Sequence, residues 1–273
     1  MKCVLKHLRS IVLILTPIIC FSILSCSESN EGLENQNLQP ILLKSIEWSN
    51  EDFSAQVEFI YNTRHQVVEL ISNNRGTETS FFIEYDDQSR AGVVKMVNDT
   101  IILAEYDSEN LLSKVIFYES ENEREENTFS YNDNQNIVGI IETNFFNENQ
   151  SSPSTTFMSY DQNGNVIEIQ SQNFDGSLEK TSVASYDSMK NPIHLLSIPP
   201  FLSWLIFGID FESSLSKNNM VILDDINDKV IYSYEYQYQN DLPVRVEVDY
   251  IDSFEPDNIF QSQFVINYRY MED

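Results

Sequence analysis

A tyrosine followed by an Asp- or Asn-headed turn recurs along most of this chain. That recurrence restricts the fold more than any other feature of the sequence. The clearest copy is Met158-Ser159-Tyr160-Asp161-Gln162-Asn163-Gly164-Asn165-Val166. Ile60-Tyr61-Asn62-Thr63-Arg64-His65-Gln66-Val67 and Ser130-Tyr131-Asn132-Asp133-Asn134-Gln135-Asn136-Ile137 repeat its spacing. So does Ser185-Tyr186-Asp187-Ser188-Met189-Lys190-Asn191-Pro192, and Glu105-Tyr106-Asp107-Ser108-Glu109-Asn110-Leu111-Leu112 nearly does. Glu84-Tyr85-Asp86 opens a copy for which a longer turn is expected. The tyrosines at 61, 85, 106, 131, 160 and 186 lie 24, 21, 25, 29 and 26 residues apart. Such an interval holds two strands of about eight residues and two turns, so each repeat is one β-hairpin.

Turn chemistry explains the residue types. Asp161 stands where a type I turn uses a carboxylate or amide acceptor, and Gly164 stands at the fourth position. Gly164 then takes a positive φ and forms the bulge that closes a three-residue hairpin loop. That register sets Tyr160 opposite Val166, an aromatic–β-branched pair worth about 0.2–1 kcal/mol. The other copies place His65, Gln135 or Lys190 at the glycine position, where a positive φ costs more.

The segments between the turns read as strands. Residues 54–61, 67–71, 81–85, 100–105, 112–118 and 136–145 are rich in β-branched and aromatic side chains, as are 154–160, 166–172, 230–238, 244–251 and 260–270. Tyr232, Tyr234, Tyr236 and Tyr238 alternate with Ile231, Ser233, Glu235 and Gln237, the period of a strand with one buried face. Helical periodicity is nearly absent. The expected fold is all-β: an antiparallel up-and-down meander of hairpins, curled or barrel-like, with one short apolar helical or loop insertion. Closing the meander would remove exposed strand edges that invite aggregation.

The N-terminus carries a separate signal. Lys2, Lys6 and Arg9 precede an apolar run from Ile11 to Leu24, 14 residues long. A bilayer span needs about 20. The run closes on Ile23-Leu24-Ser25-Cys26, the pattern of a bacterial lipoprotein signal, in which the cysteine is acylated and becomes the first residue. The expected organisation is a signal peptide over 1–25, a flexible tether over 26–40, and a single β-repeat domain over 41–273 with an insertion near 198–216. Cys26 is the expected lipidation site and the means of membrane contact, because two or more acyl chains hold stably where one does not. Cys3 and Cys20 fall within the removed segment. No disulfide, zinc–thiolate centre or cysteine nucleophile remains available to the mature chain.

Removing residues 1–25 takes away three of the 16 basic residues and no acidic one, so 13 Lys and Arg face 43 Asp and Glu, a net charge of −30. Such a surface repels nucleic acid, which is excluded as a partner, and anionic headgroups. The acidic Ser27-Glu28-Ser29-Asn30-Glu31 directly after Cys26 resembles a surface-export signal of some Gram-negative lipoproteins. The expected location is the outer membrane, at the cell surface, with the periplasmic face as the alternative.

The Tyr-Asp-x-x-Gly-Asn-Val string of 160–166 resembles the YD repeat of Rhs-type proteins, which builds long curled β-sheets. The larger pattern resembles a bacterial surface lipoprotein family of unknown function with a porin-like fold, from about Ile41 to the end. That likeness rests on Tyr186-Asp187-Ser188-Met189-Lys190-Asn191-Pro192, an apolar insertion, Ser216-Lys217-Asn218-Asn219, and Tyr234-Glu235-Tyr236-Gln237-Tyr238-Gln239-Asn240-Asp241-Leu242-Pro243. It implies a barrel-like β-domain on a lipid anchor and supplies no catalytic residue. A toxin-enclosing role does not transfer, since full-length Rhs shells are far larger. A transmembrane barrel is disfavoured: Glu247 and Asp249 interrupt the face opposite Val246 and Val248, where lipid would demand an apolar band.

The insertion Ile198-Pro199-Pro200-Phe201-Leu202-Ser203-Trp204-Leu205-Ile206-Phe207-Gly208-Ile209-Asp210-Phe211 breaks the repeat. Pro199-Pro200 is suited to starting a short helix. Trp204, Leu205 and Phe207 are expected to plug the apolar face of the sheet, the alternative being an exposed loop that docks a partner.

Chemical constellations are scarce. His65 sits in a turn and His194 follows Pro192, each without a sequence partner. No phosphate loop, His-x-x-x-His pair or Gly-x-Ser-x-Gly elbow occurs. Asp161-x-Asn163-x-Asn165 and Asp224-Asp225-Ile226-Asn227-Asp228 space oxygen ligands as calcium loops do, without the glycine and distal glutamate of an EF-hand. No cofactor and no metal are expected. The function expected is a non-catalytic binding or structural module for a glycan, peptide or protein. The alternative is a carboxylate-dependent glycan hydrolase, which would need two converging carboxylates, one with a raised pKa.

Overall fold

The computed structural model describes residues 41–271 except 52, 98, 121, 148, 174, 197–213, 227–229 and 256–257. Its strands, in chain order, are β1 Leu43–Ser49, β2 Ser54–Tyr61, β3 Val67–Asn74, β4 Thr77–Tyr85, β5 Ala91–Met96, β6 Asp99–Tyr106, β7 Leu112–Ser120 and β8 Glu123–Tyr131. They continue as β9 Ile137–Phe146, β10 Asn149–Gln150, β11 Ser154–Tyr160, β12 Val166–Gln172, β13 Leu178–Lys190, β14 Asn218–Asp225, β15 Val230–Gln239, β16 Leu242–Glu255 and β17 Asn258–Tyr270.

Apart from the two-residue β10, each strand pairs antiparallel with the next, and β9 reaches past β10 to β11. The last strand then returns to the first: Trp48 of β1 lies opposite Ile266 of β17 on one side and Ala55 of β2 on the other. The meander is therefore a closed barrel of sixteen strands, and among the described residues the closure leaves no long strand with an unpaired edge.

Strand periodicity assigns the two faces. Val57, Phe59, Val67, Val94, Val115, Val166, Val246 and Val248 are at most 3% exposed and belong to one core cluster fed by strands all round the barrel. A closed sheet has one face that its own strands enclose, so these residues line the lumen. Charged side chains occupy the opposite face, as with Glu58 on β2, Glu84 on β4 and Glu247 on β16.

Five of the tyrosine-led turns share one geometry. The backbone N–H of His65, Ser89, Asn110, Gln135 and Gly164 donates to the carbonyl three residues earlier, and all five residues have φ between 60° and 86°. The side-chain oxygen of Asn62, Asp86, Asp107, Asn132 or Asp161 also accepts two backbone N–H groups, those of the second and fourth residues after it. These Asx contacts fix the loop while the bulge restores strand register. Tyr160 lies opposite Val166, as the turn chemistry requires.

Two expectations are corrected. The Asp86 turn is no longer than the others, because Ser89 accepts the positive φ and Arg90 takes the position of Asn165. The Tyr186 copy does not close a hairpin. There β13 runs on to Lys190, and Tyr186 pairs with Met220 beyond the insertion.

The strands missed from sequence are β1, β5, β8, β10, β13 and β14. In β8 the outward face carries Arg124, Glu126, Thr128 and Ser130 and part of the inward face is polar too, so alternation is invisible. A single helical turn, α1, spans Pro192–Leu195 and is capped by Asn191, whose side chain accepts the N–H of Ile193. Pro192 opens it, a residue suited to a first helical turn. Pro199-Pro200 lies outside the described residues.

Candidate functional site

The two ends of the lumen differ in chemistry. At the end that carries the tyrosine-led turns, each phenol points inward and donates to a carbonyl of the neighbouring hairpin. Tyr85 reaches Val67 O at 2.8 Å, Tyr106 reaches Ala91 O at 2.9 Å, Tyr131 reaches Leu112 O at 2.7 Å and Tyr160 reaches Ile137 O at 2.7 Å. Tyr186, Tyr236, Tyr270 and Tyr61 continue the series to Val166 O, Met220 O, Pro243 O and Leu43 O. Each of Val67, Ala91, Leu112, Ile137 and Val166 lies opposite the preceding tyrosine, at the bulge where ladder pairing shifts. Leu43, the acceptor for Tyr61, is itself paired with Tyr270, so the chain of contacts returns to its start. Burial pushes Tyr85 and Tyr106 up to about 12, the nearby Arg90 guanidinium opposing the shift at Tyr106. Burial likewise raises Tyr61, Tyr131 and Tyr270.

The described flanks of the insertion are fastened at this end. Ser216, fully buried, accepts the N–H of Val166 at 3.0 Å and donates to Tyr186 Oη at 3.0 Å. Asn191 gives its side-chain N–H to Ser216 O, and Asn218 exchanges two hydrogen bonds with Asn165. Leu196, 5% exposed, joins the core cluster. The polar residues flanking the insertion thus tie those flanks to the hairpin of Tyr160.

The opposite end of the lumen is polar. Lys180 forms a 2.9 Å ion pair with the largely buried Asp225 there. Between β5 and β9 lies a hollow of about 590 Å³ lined by Met96, Ile101, Ile102, Phe117, Tyr118, Glu119, Glu125 and Glu142. Strand pairing explains how the acidic groups meet. Glu125 lies opposite Phe117, and Glu142 lies opposite Asn127, which is 1% exposed. The Asn127 side chain donates from Nδ2 to Glu125 Oε1. Its Oδ1 has no hydrogen-bond donor among the described residues. Glu142 accepts a side-chain N–H from Asn144 at 3.0 Å. Burial pushes the Glu125 carboxyl above its ordinary range; the Asn127 hydrogen bond opposes this, and the charges of Glu142 and Glu119 add to it.

This pocket was not anticipated from sequence, although a signal for it existed. Counting back in twos from Tyr131, the inward residue that ends β8, gives Phe129, Asn127 and Glu125 as inward residues. The residues that sequence did single out fall elsewhere. Cys26, Trp204, Leu205 and Phe207 lie outside the described residues. His65 holds a positive-φ turn position, and His194 lies within α1, where desolvation lowers its pKa and Lys217 lowers it further against a backbone contact with Ser214. Asp161 is engaged by its own turn. Slight burial raises its carboxyl, but the N–H groups of Asn165 and the rest of the turn outweigh that and hold it below the ordinary range. Asp225 faces Lys180, and Asn227 and Asp228 lie outside the described residues. Among the described residues no group of three or more His, Cys, Asp or Glu side chains is placed to hold a metal ion.

A scan against protein-family models finds no match, and neither does a search of curated proteins. Solved structures do match. A porin-like protein from Bacteroides uniformis superposes with a TM-score of 0.62 at 15% identity, over 84% of this chain and 96% of that one. A porin-like protein from Bacteroides vulgatus covers 84% of this chain and 98% of its own, with a TM-score of 0.43 at 8% identity. The first shares the barrel fold with this chain; the likeness extends to fold alone.

Proposed function

We propose that this chain is a lipid-anchored envelope protein of the outer membrane, a non-catalytic binding module held at the cell surface through Cys26. The polarity of its barrel carries that reading. A membrane-spanning barrel turns an apolar band about 25 Å tall toward lipid and keeps its lumen polar. Here the fully buried Val57, Val94, Val115 and Val246 face inward, whereas the outward face alternates residues such as Phe82 with Glu84 and Ile231 with Ser233 and Glu235. A barrel of that polarity is suited to water and needs a separate membrane attachment, which the Ile23-Leu24-Ser25-Cys26 signal supplies. The description of the Bacteroides uniformis neighbour as porin-like agrees with an envelope location. The tyrosine-led turns read as YD-type repeats on the same grounds of motif and spacing.

Fractionation and bilayer recording test the proposal together. Cys26→Ala should release the barrel from membranes into the soluble fraction, and purified protein should give no single-channel conductance in planar bilayers. Retention of Cys26→Ala in carbonate-washed outer membranes, or stable conductance, would overturn it.

A hydrolytic reading is favoured by one observation, the half-buried Glu125 with a raised pKa beside Glu142. Release of reducing ends from soluble glycans, abolished by Glu125→Gln, would establish that reading instead.

A further inference from the structure

We infer that the notch where β17 ends beside the start of β16 is a binding site for a monoanionic sugar, a uronate-type ring bearing one carboxylate. The inference rests on the binding-module reading and names its ligand chemistry. Strand register opens the notch. β17 pairs with β1 as far as Tyr270 but with β16 only as far as Asn267, which lies opposite Arg245. There β16 carries a bulge that skips Val244 in its pairing with β15, and β1 carries one that skips Lys44 in its pairing with β17. Bulges bend a strand and re-aim its side chains. Between them lies a hollow of about 880 Å³, the size of a small-molecule site.

The polar wall of this hollow is made for an anion. The chain has 16 Lys and Arg against 43 Asp and Glu, yet Lys44 and Arg269 line the hollow and, among the described residues, no carboxylate does. Lys44 has no ion pair among the described residues, and Arg269 reaches Glu47 only at 3.5 Å. Tyr268 is an independent sign of a missing partner. It lines the same hollow and packs against the core, but its hydroxyl makes no hydrogen bond among the described residues. The neighbouring Tyr236, Tyr238 and Tyr270 each donate one, to Met220 O, Asp187 and Pro243 O. A phenol withdrawn from water without a partner costs free energy, which a ligand acceptor would restore.

The fork of Arg269 matches one carboxylate in bidentate fashion. A dianion such as phosphate would meet stronger repulsion from the rest of the acidic chain. The amides of Gln239 and Asn240 offer both donors and acceptors, as ring hydroxyls require. Leu242, Val244 and Met271 give apolar surface for the C–H face of the ring.

Titration calorimetry on the purified protein at neutral pH and low ionic strength tests the site, with methyl β-D-glucuronide as probe. The expected result is saturable one-to-one binding. Methyl β-D-glucoside, which lacks the carboxylate, and hexanoate, which lacks the ring hydroxyls, should each bind about tenfold more weakly or not at all. Inorganic phosphate at equal concentration should not displace the glucuronide. Arg269→Gln and Lys44→Gln should each weaken binding about tenfold with unchanged thermal melting. Tyr268→Phe should weaken it about threefold, the worth of one neutral hydrogen bond, while melting stays the same or rises, because the hydroxyl has no bond to lose in the free protein. No glucuronide binding, equal binding of the glucoside or of hexanoate, displacement by phosphate, or undiminished binding to the folded Arg269→Gln variant would each overturn the inference. Those failures leave the anchored-module reading standing, because that reading fails on membrane retention or conductance instead.

Discussion

The hydroxyl of Tyr160 donates to the carbonyl of Ile137 across 2.7 Å, so the tyrosine that leads one turn clamps the bulge of the hairpin before it. The bulge shifts the ladder at Tyr131 and Ile137, and the phenol supplies a donor at that place. One side chain therefore serves two hairpins: its ring packs within its own, and its hydroxyl ties down the previous one.

Tyr160→Phe keeps the ring and removes the tie. The expected loss is about 0.5–1.5 kcal/mol, the net worth of one hydrogen bond. Urea unfolding followed by circular dichroism should show a lower midpoint with an unchanged slope, since the surface exposed on unfolding is the same.

The staple beside the insertion should cost more. Ser216→Ala leaves the buried N–H of Val166 without the acceptor it has now and takes a donor from Tyr186. An unsatisfied buried donor costs about 1–3 kcal/mol. The same denaturation experiment reads it, and the loss should exceed that of Tyr160→Phe.

Gly164 has a φ of +86°, and a Cβ there would sit 3.1 Å from Lys217 Cε. Gly164→Ala is expected to destabilise by about 1–2 kcal/mol, the usual penalty for a side chain in the left-handed region. His65→Gly, at a φ of 60°, should be neutral or mildly stabilising. Differential scanning calorimetry of the two variants checks the opposite signs.

The tyrosine contacts make the fold sensitive to base. Burial holds Tyr85 and Tyr106 at about 12 in the folded barrel, against about 10 for tyrosine in an unfolded chain. Above pH of about 10 the unfolded state gives up protons that the folded state retains, so stability falls as pH rises. It is fully present below that value and is lost progressively toward about 12. Tyrosinate absorbance should rise together with the loss of near-UV circular dichroism, not ahead of it.

Glu125 behaves in the opposite sense to a paired surface carboxylate. Burial first, and then the neighbouring Glu142 and Glu119, make its ionised form unfavourable in the folded state. Glu125→Gln should therefore raise the urea midpoint at neutral pH. The gain should vanish in acid, below the ordinary glutamate range, where the wild-type carboxyl is protonated in both states.

The sequence by itself determined the local units of this protein. A tyrosine, an Asx acceptor and a residue able to take positive φ specify a hairpin from within nine residues, as at Tyr160–Val166, because turn geometry is a matter of neighbouring dihedrals and short hydrogen bonds. Period-two alternation likewise made β15 legible through Tyr232, Tyr234, Tyr236 and Tyr238. Where alternation fails, as in the charge-rich β8, the strand escaped notice. What only the tertiary structure decided is what joins the units. The pairing of β1 with β17, Leu43 opposite Tyr270, unites the chain's beginning with its end, and no local pattern encodes a contact across more than 200 residues. The same holds for the meeting of Glu125 with Glu142 and Asn127. Each is one polar residue among many in its own strand, and they become neighbours only because the strand register places them on one wall of the lumen.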